Sequence, residues 1–266
     1  MKTFSAIYEG VIKFDEKPNE DFYSVSKNFP IFAVADGVTQ SHYQTGEYAY
    51  PRGAKEAAEI FCKSIIEFLE KKQNIKEAFD FANKKIKELN IKYGIDKKMD
   101  YMTHDWFDTV GTAGFIAGSK LYFGVVGDCG LAIFDKNNNK KFQTKEDVSQ
   151  AVRKMKSIYK DWNKLSKNER SLIMHKDFRN NPNKKGYGSF TGEDGVENYY
   201  KIGVKNLKEG DMAVFYSDGF FELLEDKNFI RILRGQNREE LDGFVMQKAK
   251  ENEKYGDDRT FVSVIF

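Results

Sequence analysis

Two kinds of side chain are scarce in this chain of 266 residues, which has two cysteines and three histidines. Cys62 and Cys129 form no CxxC pair and no disulfide framework, so a reducing, cytoplasmic compartment is expected. His42, His104 and His175 are far apart and lack HExxH spacing, which argues against a zinc or copper site. No run approaches the roughly 18 apolar residues of a membrane span, and the opening MKTFSAIYEG has no apolar stretch of signal-peptide length. A soluble protein with no membrane partner is expected. No linker rich in Pro, Gly or Ser and no internal repeat divides the chain, so residues 1–266 are expected to form a single domain. A formal net charge of only +2 argues neither for nor against a nucleic-acid partner, and none is expected.

What the chain does have is aromatic and charged. Its 23 Phe and 14 Tyr suit a strand-rich core, and 32% charged residues suit a soluble surface. The charge is uneven. Between Lys136 and Lys185, 15 Lys and Arg stand against 5 Asp and Glu, which leaves 28 against 36 of the chain's 43 and 41 elsewhere. Such a run is most simply a solvated face, and it can also steer an anionic partner.

Hydrophobic periodicity divides the chain into strand groups and helix pairs. Strands are expected over Thr3–Glu9, Asp21–Ser26 and Ile31–Ala35, the last apolar enough to be buried on both faces. Ala54, Ala57, Ala58, Phe61, Ile65 and Phe68, then Ile75, Ala78, Phe79, Ala82, Ile86 and Leu89, recur at three- and four-residue spacing and predict two amphipathic helices. GTAGFIAGSKLYFGVVGDCGLAIF reads as three strands in a meander. Residues 147–198 begin polar and basic and are expected to form a variable flap or insertion. Strands over Tyr199–Val204, Met212–Tyr216 and Thr260–Phe266 enclose further helices, at Phe220–Leu224, Phe229–Leu233 and Glu239–Asn252. Strand groups interleaved with helix pairs do not fit a βαβ alternation; they predict an α+β fold of layered antiparallel sheets.

The chemistry is carried by acidic residues placed where these strands run out. Glu20 and Asp21 stand in PNEDFYSV, Asp36 in FAVADGVT, Asp128 in FGVVGDCG, Asp218 in VFYSDGFFE and Asp257 in GDDRTFVSV. Any one of them could be an ordinary turn or cap. Carboxylates at apolar strand ends cost desolvation unless a positive charge meets them, so a shared divalent cation is the economical reading. A site made of carboxylates favours a hard ion, Mg²⁺ or Mn²⁺, which retains waters and binds phosphate oxygens. Two such ions roughly 3.5–4 Å apart can activate a water for in-line attack on phosphorus.

In order, these blocks resemble the metal-dependent serine/threonine protein phosphatases of type 2C. The residues are Asn19-Glu20-Asp21, Asp36-Gly37, Gly111-Thr112 leading to Gly127-Asp128-Cys129, Ser217-Asp218-Gly219 with Glu222, and Asp257-Asp258-Arg259-Thr260. The likeness runs from about residue 5 to 266. It implies two stacked antiparallel β-sheets flanked by antiparallel helix pairs, a four-layer αββα sandwich, with a binuclear Mg²⁺ or Mn²⁺ centre at one end. At the matched positions Asp36 bridges the metals, the Gly37 carbonyl ligates one, and Asp218 and Asp257 hold the other. Glu20 completes the centre directly or through water, with Asp21 in support. Asp128 and Glu222, with Asp218, match a weaker third-ion site. The implied reaction is one-step hydrolysis of phosphoserine or phosphothreonine on a protein, opposing a serine/threonine kinase in signalling.

The chain also departs from that pattern. A phosphate-gripping arginine common in the family is Glu16 here, with Lys13 and Lys17 nearby, and a frequent histidine is Val38, with His42 nearby. Asp258 replaces a common asparagine, and Gly-Asp-Ser-Arg reads Gly-Asp-Cys-Gly. A non-catalytic binding module of the same fold and a phosphatase acting on small phosphorylated metabolites therefore remain alternative readings.

Overall fold

The computed structural model describes residues 1–10, 18–38, 52–98, 101, 105–181, 183, 186–251 and 258–266. One sheet has the order β1 (Lys2–Tyr8), β10 (Arg259–Ile265), β9 (Met212–Tyr216), β6 (Gly130–Phe134), β7 (Lys140–Gln143). The other has β2 (Phe22–Val25), β3 (Ile31–Gly37), β4 (Thr109–Ala117), β5 (Lys120–Val126), β8 (Lys201–Asn206). Every strand pair is antiparallel. Helices α1 (Gly53–Lys71) and α2 (Ile75–Lys92) pack on the second sheet, and α5 (Lys227–Gly235) and α6 (Arg238–Glu251) pack on the first. The result is the expected αββα sandwich.

Side-chain alternation explains why β3 is apolar throughout. Ile31, Ala33 and Ala35 face α1 and α2, while Phe32 and Val34 face the layer between the sheets. On α1, Ala54, Ala57, Ala58, Phe61, Ile65 and Leu69 form the buried stripe. Asn74 separates the two helices and caps α2 by accepting the Glu77 N–H at 3.2 Å. Between the sheets, Leu131, Ile133, Ala213, Phe215, Val262 and Val264 meet Phe32, Val34, Leu121, Phe123 and Val125.

The meander expected from Gly111 to Phe134 does not form. β4 and β5 pair as a hairpin, but β6 joins the other sheet, between β9 and β7. The chain changes sheets at Gly127, which has φ +78°. A Cβ there would come within 2.3 Å of Val110 Cγ1, so glycine is required for both conformation and space.

The segment read as a flap divides into two parts. Residues of α3 (Val148–Ile158) join Trp162, Phe178 and Tyr187 in a small apolar cluster of their own, followed by α4 (Lys167–Ile173) and a π-turn at Met174–Phe178. From Phe190 the segment returns to the main core. Phe190 is fully buried, with its ring 4.7 Å from that of Phe61 and 5.2 Å from that of Phe79. Asn90 fastens this arm by donating to Phe107 O at 2.9 Å and Thr191 O at 3.0 Å. No helix among the described residues is long and apolar enough to cross a membrane.

Candidate metal centre

Antiparallel pairing brings the acidic blocks to one end of both sheets. In the second sheet, β2 begins, β3 ends and β4 begins there, and in the first sheet β9 ends where β6 and β10 begin. Alternation sets the direction. Asp36 has the parity of Phe32 and Val34, so its carboxylate points into the layer between the sheets rather than toward α1. The β2–β3 register continues past Phe22↔Ala35, with the Gly37 N–H donating to Glu20 O at 3.2 Å. Asp21 is thereby set beside Asp36 on the same face. Like charges so placed repel unless a cation intervenes.

Asp21 is fully buried. Its Oδ2 accepts the Ser217 hydroxyl at 2.6 Å, and its Oδ1 has no hydrogen-bond partner among the described residues. Burial pushes this carboxyl up to about 8; the hydroxyls of Ser217 and Thr260 oppose the rise, and the negative charges of Asp218 and Asp258 add to it. Glu20 is also buried, and its N–H donates to Asp258 Oδ2 at 2.9 Å. Asp258 spends its other oxygen on the Gly10 N–H at 2.7 Å, so the residue in place of the common asparagine ties β1, β2 and β10 together. Gly37 is pressed against the first turn of α1, where a Cβ would lie 2.6 Å from Ala54 O and 2.9 Å from Glu20 O. A side chain at 37 would force the strand end off the helix.

Cys129 marks the meeting point. Its buried thiol is pushed well up by burial first and then by the negative charges of Asp36, Asp128, Asp21 and Asp218. Beside it, Asp128, Asp218 and Glu222 line a groove of about 370 Å³ together with Glu146, Ser149 and Phe221. Asp128 sits in the β5–β6 turn, and Asp218 and Glu222 each begin a short 3₁₀ turn after β9. Gly219 lets this turn lie against Arg259, whose Cγ would be 2.4 Å from an added Cβ.

Asp21, Asp36, Asp128 and Asp218 thus bear on the same Cys129, Asp128, Asp218 and Glu222 share one groove, and Glu20 is joined to Gly37 through the backbone. Asp257 lies outside the described residues, as do Lys13, Glu16, Lys17 and His42. Ser217 and Thr260, which stand in the quoted blocks without a role of their own, and Glu146, which sequence reasoning did not single out, are local participants. For Ser217 a signal existed: it continues the inward parity of Ala213 and Phe215 to the strand end. The Gly111-Thr112 block serves packing, since Gly111 admits the Phe61 ring and Thr112 Oγ1 donates to Gly124 O at 3.2 Å.

Among the described residues, no three His, Cys, Asp or Glu side chains are gathered as a ready-made cation cage. The donor set nevertheless fits a hard divalent ion. It is all oxygen, it lies at one end of the sandwich, and it includes a buried carboxylate oxygen with no partner among the described residues.

No protein-family model matches this chain, and no curated protein matches it in sequence. Solved structures do match in fold. The catalytic domain of the serine/threonine protein phosphatase PstP, in complex with two manganese ions, superposes with a TM-score of 0.64 at 16% identity, covering 98% of this chain and 96% of that one. The S. agalactiae serine/threonine phosphatase gives 0.62 at 17%, covering 100% and 99%. PppA, a regulatory component of T6SS in Pseudomonas aeruginosa, gives 0.63 at 11%, covering 100% and 97%. The chain therefore has the fold of the type 2C serine/threonine phosphatases over its whole length, as the resemblance of its sequence blocks implies.

Proposed function

We propose that this protein is a metal-dependent phosphatase that hydrolyses phosphoserine and phosphothreonine monoesters on proteins, opposing a serine/threonine kinase in the cytoplasm. The observation that carries the reading is the convergence of Asp21, Asp36, Asp128 and Asp218 around Cys129, at the end of a phosphatase sandwich. Asp36 and the Gly37 carbonyl, with Asp218 and Asp257, are the residues that would hold two Mg²⁺ or Mn²⁺ ions, with Glu20 completing the set. Asp128, Asp218 and Glu222 would hold a weaker third. When bound there, such ions would supply positive charge to the phosphoryl oxygens and would lower the pKa of a water near phosphorus.

This chain's own residues do the positioning. The Gly37 contact with α1 fixes how far Asp36 reaches into the cleft. Ser217, on Asp21 Oδ2, keeps the second carboxylate facing Asp36 from the opposite strand. Asp258 fixes the Glu20 backbone, so that Glu20 enters the site from a held main chain. The 147–198 segment, as a flap within one domain, borders the same groove through Val148 and Ser149.

The test is hydrolysis of a phosphothreonine peptide and of p-nitrophenyl phosphate in Mn²⁺, Mg²⁺ and EDTA. Turnover is expected in either metal, with preference for the peptide. EDTA should abolish it, and Asp36→Asn should reduce it at least about a thousandfold. A folded protein inactive in both metals would sink the reading.

A further inference from the structure

Arg179 is a fully buried arginine from the segment that follows the π-turn, and nothing in the proposed chemistry uses it. Its guanidinium grips Asp105 with two parallel bonds, Nη2 to Oδ1 at 2.8 Å and Nη1 to Oδ2 at 3.1 Å. Nη1 also donates to Asp108 Oδ2 at 3.2 Å, and Nε donates to Glu193 Oε2 at 3.3 Å. His175 Nδ1 meets the same Asp105 carboxylate, and the Ser189 hydroxyl donates to Asp108 Oδ2 at 3.1 Å. One planar fork thus holds three carboxylates, a task that the point charge of a lysine performs poorly.

What Arg179 grips leads directly to the metal-site strand. Asp105 and Asp108 belong to the stretch entering β4. The Asp108 carbonyl accepts the N–H of Val38, two residues past Asp36, at 3.1 Å. The next residue, Thr109, donates its hydroxyl to the Asp36 carbonyl at 2.5 Å. Thr109 also exchanges both backbone hydrogen bonds with Phe190, at 2.8 and 3.3 Å, inside the same insertion.

We infer that Arg179 is a positioning residue: it locks the insertion onto the 105–109 stretch and, through Asp108 and Thr109, holds the Asp36–Val38 strand end in place for cation binding. The inference concerns the site of the proposed phosphatase and rests on that reading for its link to metal. Its structural half stands separately, because Val38 has an amide that reports the contact whether or not metal binds.

The experiment compares wild type, Arg179→Met and the triple variant Arg179→Met/Asp105→Asn/Asp108→Asn. The single variant strands buried carboxylates and should melt lower. The triple variant also removes the two buried carboxylate charges, leaving only the part-exposed Glu193, and should melt closer to wild type than the single variant. Positioning by Arg179 then predicts that the triple variant, metal-free, still exchanges the Val38 amide about tenfold faster than wild type. It should also bind Mn²⁺ about tenfold more weakly by calorimetry. Wild-type exchange at Val38 in the triple variant overturns the inference. If that variant does not fold, Arg179→Lys, which retains charge but loses the fork, takes its place with the same expectation for Val38. Asp36→Asn separates the two failures: if wild type takes up no Mn²⁺ that this substitution removes, the phosphatase reading fails while Val38 exchange still scores the coupling.

Discussion

Two groups of carboxylates flank Val38, each with a buried aspartate at its centre, and they are balanced in different ways. Behind it, Asp105, Asp108 and Glu193 surround Arg179, so the chain supplies its own counter-charge. In front of it, Asp21 keeps one oxygen with no partner among the described residues, and the charges of Asp218 and Asp258 bear on it. A carboxylate group closed by an internal guanidinium is a structural fastening. One whose neighbours are further carboxylates is stable only with protons or an external cation. That difference supports the proposal that the group around Asp21, rather than the one around Arg179, takes a metal.

Titration is the sharpest way to break this comparison and should give the largest effect. Asp21 has an ordinary value of 3.8 and is pushed up to about 8 in the fold. The folded state therefore holds a proton that the unfolded state has lost throughout that window. Metal-free stability should fall as pH rises from about 4 to about 8, on the order of 1 kcal/mol for each pH unit, and level off above. Asp21→Asn should remove that slope, and urea melts of the two proteins at each pH measure the gap. Asp108, where burial outweighs the pull of Arg179 and raises the carboxyl to about 7, contributes to both proteins and cancels in the difference. Mn²⁺ should stabilise wild type more at pH 8 than at pH 5, since the ion must displace the proton.

Removing the internal counter-charge tests the other side. Arg179→Met should cost about 3–5 kcal/mol in urea melts at pH 7, with or without Mn²⁺, because it leaves buried carboxylates unpaired. A loss of under about 1 kcal/mol would mean that the cluster is not the fastening described. The smallest effect is expected at the joint between the sheets. Ser217→Ala takes away the one hydrogen bond to Asp21 Oδ2 and should cost about 1–3 kcal/mol in the metal-free protein. Saturating Mn²⁺ should recover part of that loss.

Much of this was legible before any coordinates. The 2-residue and 3.6-residue periods located the strands and helices, and the doubly apolar run Ile31–Ala35 announced a central strand. The Asp-Gly pairs at strand ends marked the candidate site, since apolar runs that stop at acids are costly without a reason. Period alone, however, says that a segment is a strand and not which sheet it joins, so the sequence pattern alone puts β6 third in a meander. The short β7 has too few apolar residues to show itself. Phe190 was hidden within a polar insertion, and its burial follows from long-range packing against Phe61 and Phe79.

Sequence by itself determined the layered α+β class and the placing of oxygen donors at strand ends, because both are written in local periodicity and residue chemistry. Only the tertiary structure decided which acids share a charge. Arg179 meets Asp105 across 74 residues of chain, Ser217 meets Asp21 across 196, and Asp258 meets Glu20 across 238. Such partnerships depend on how two sheets stack, and burial then sets their energies by taking water away from charges that sequence alone leaves solvated.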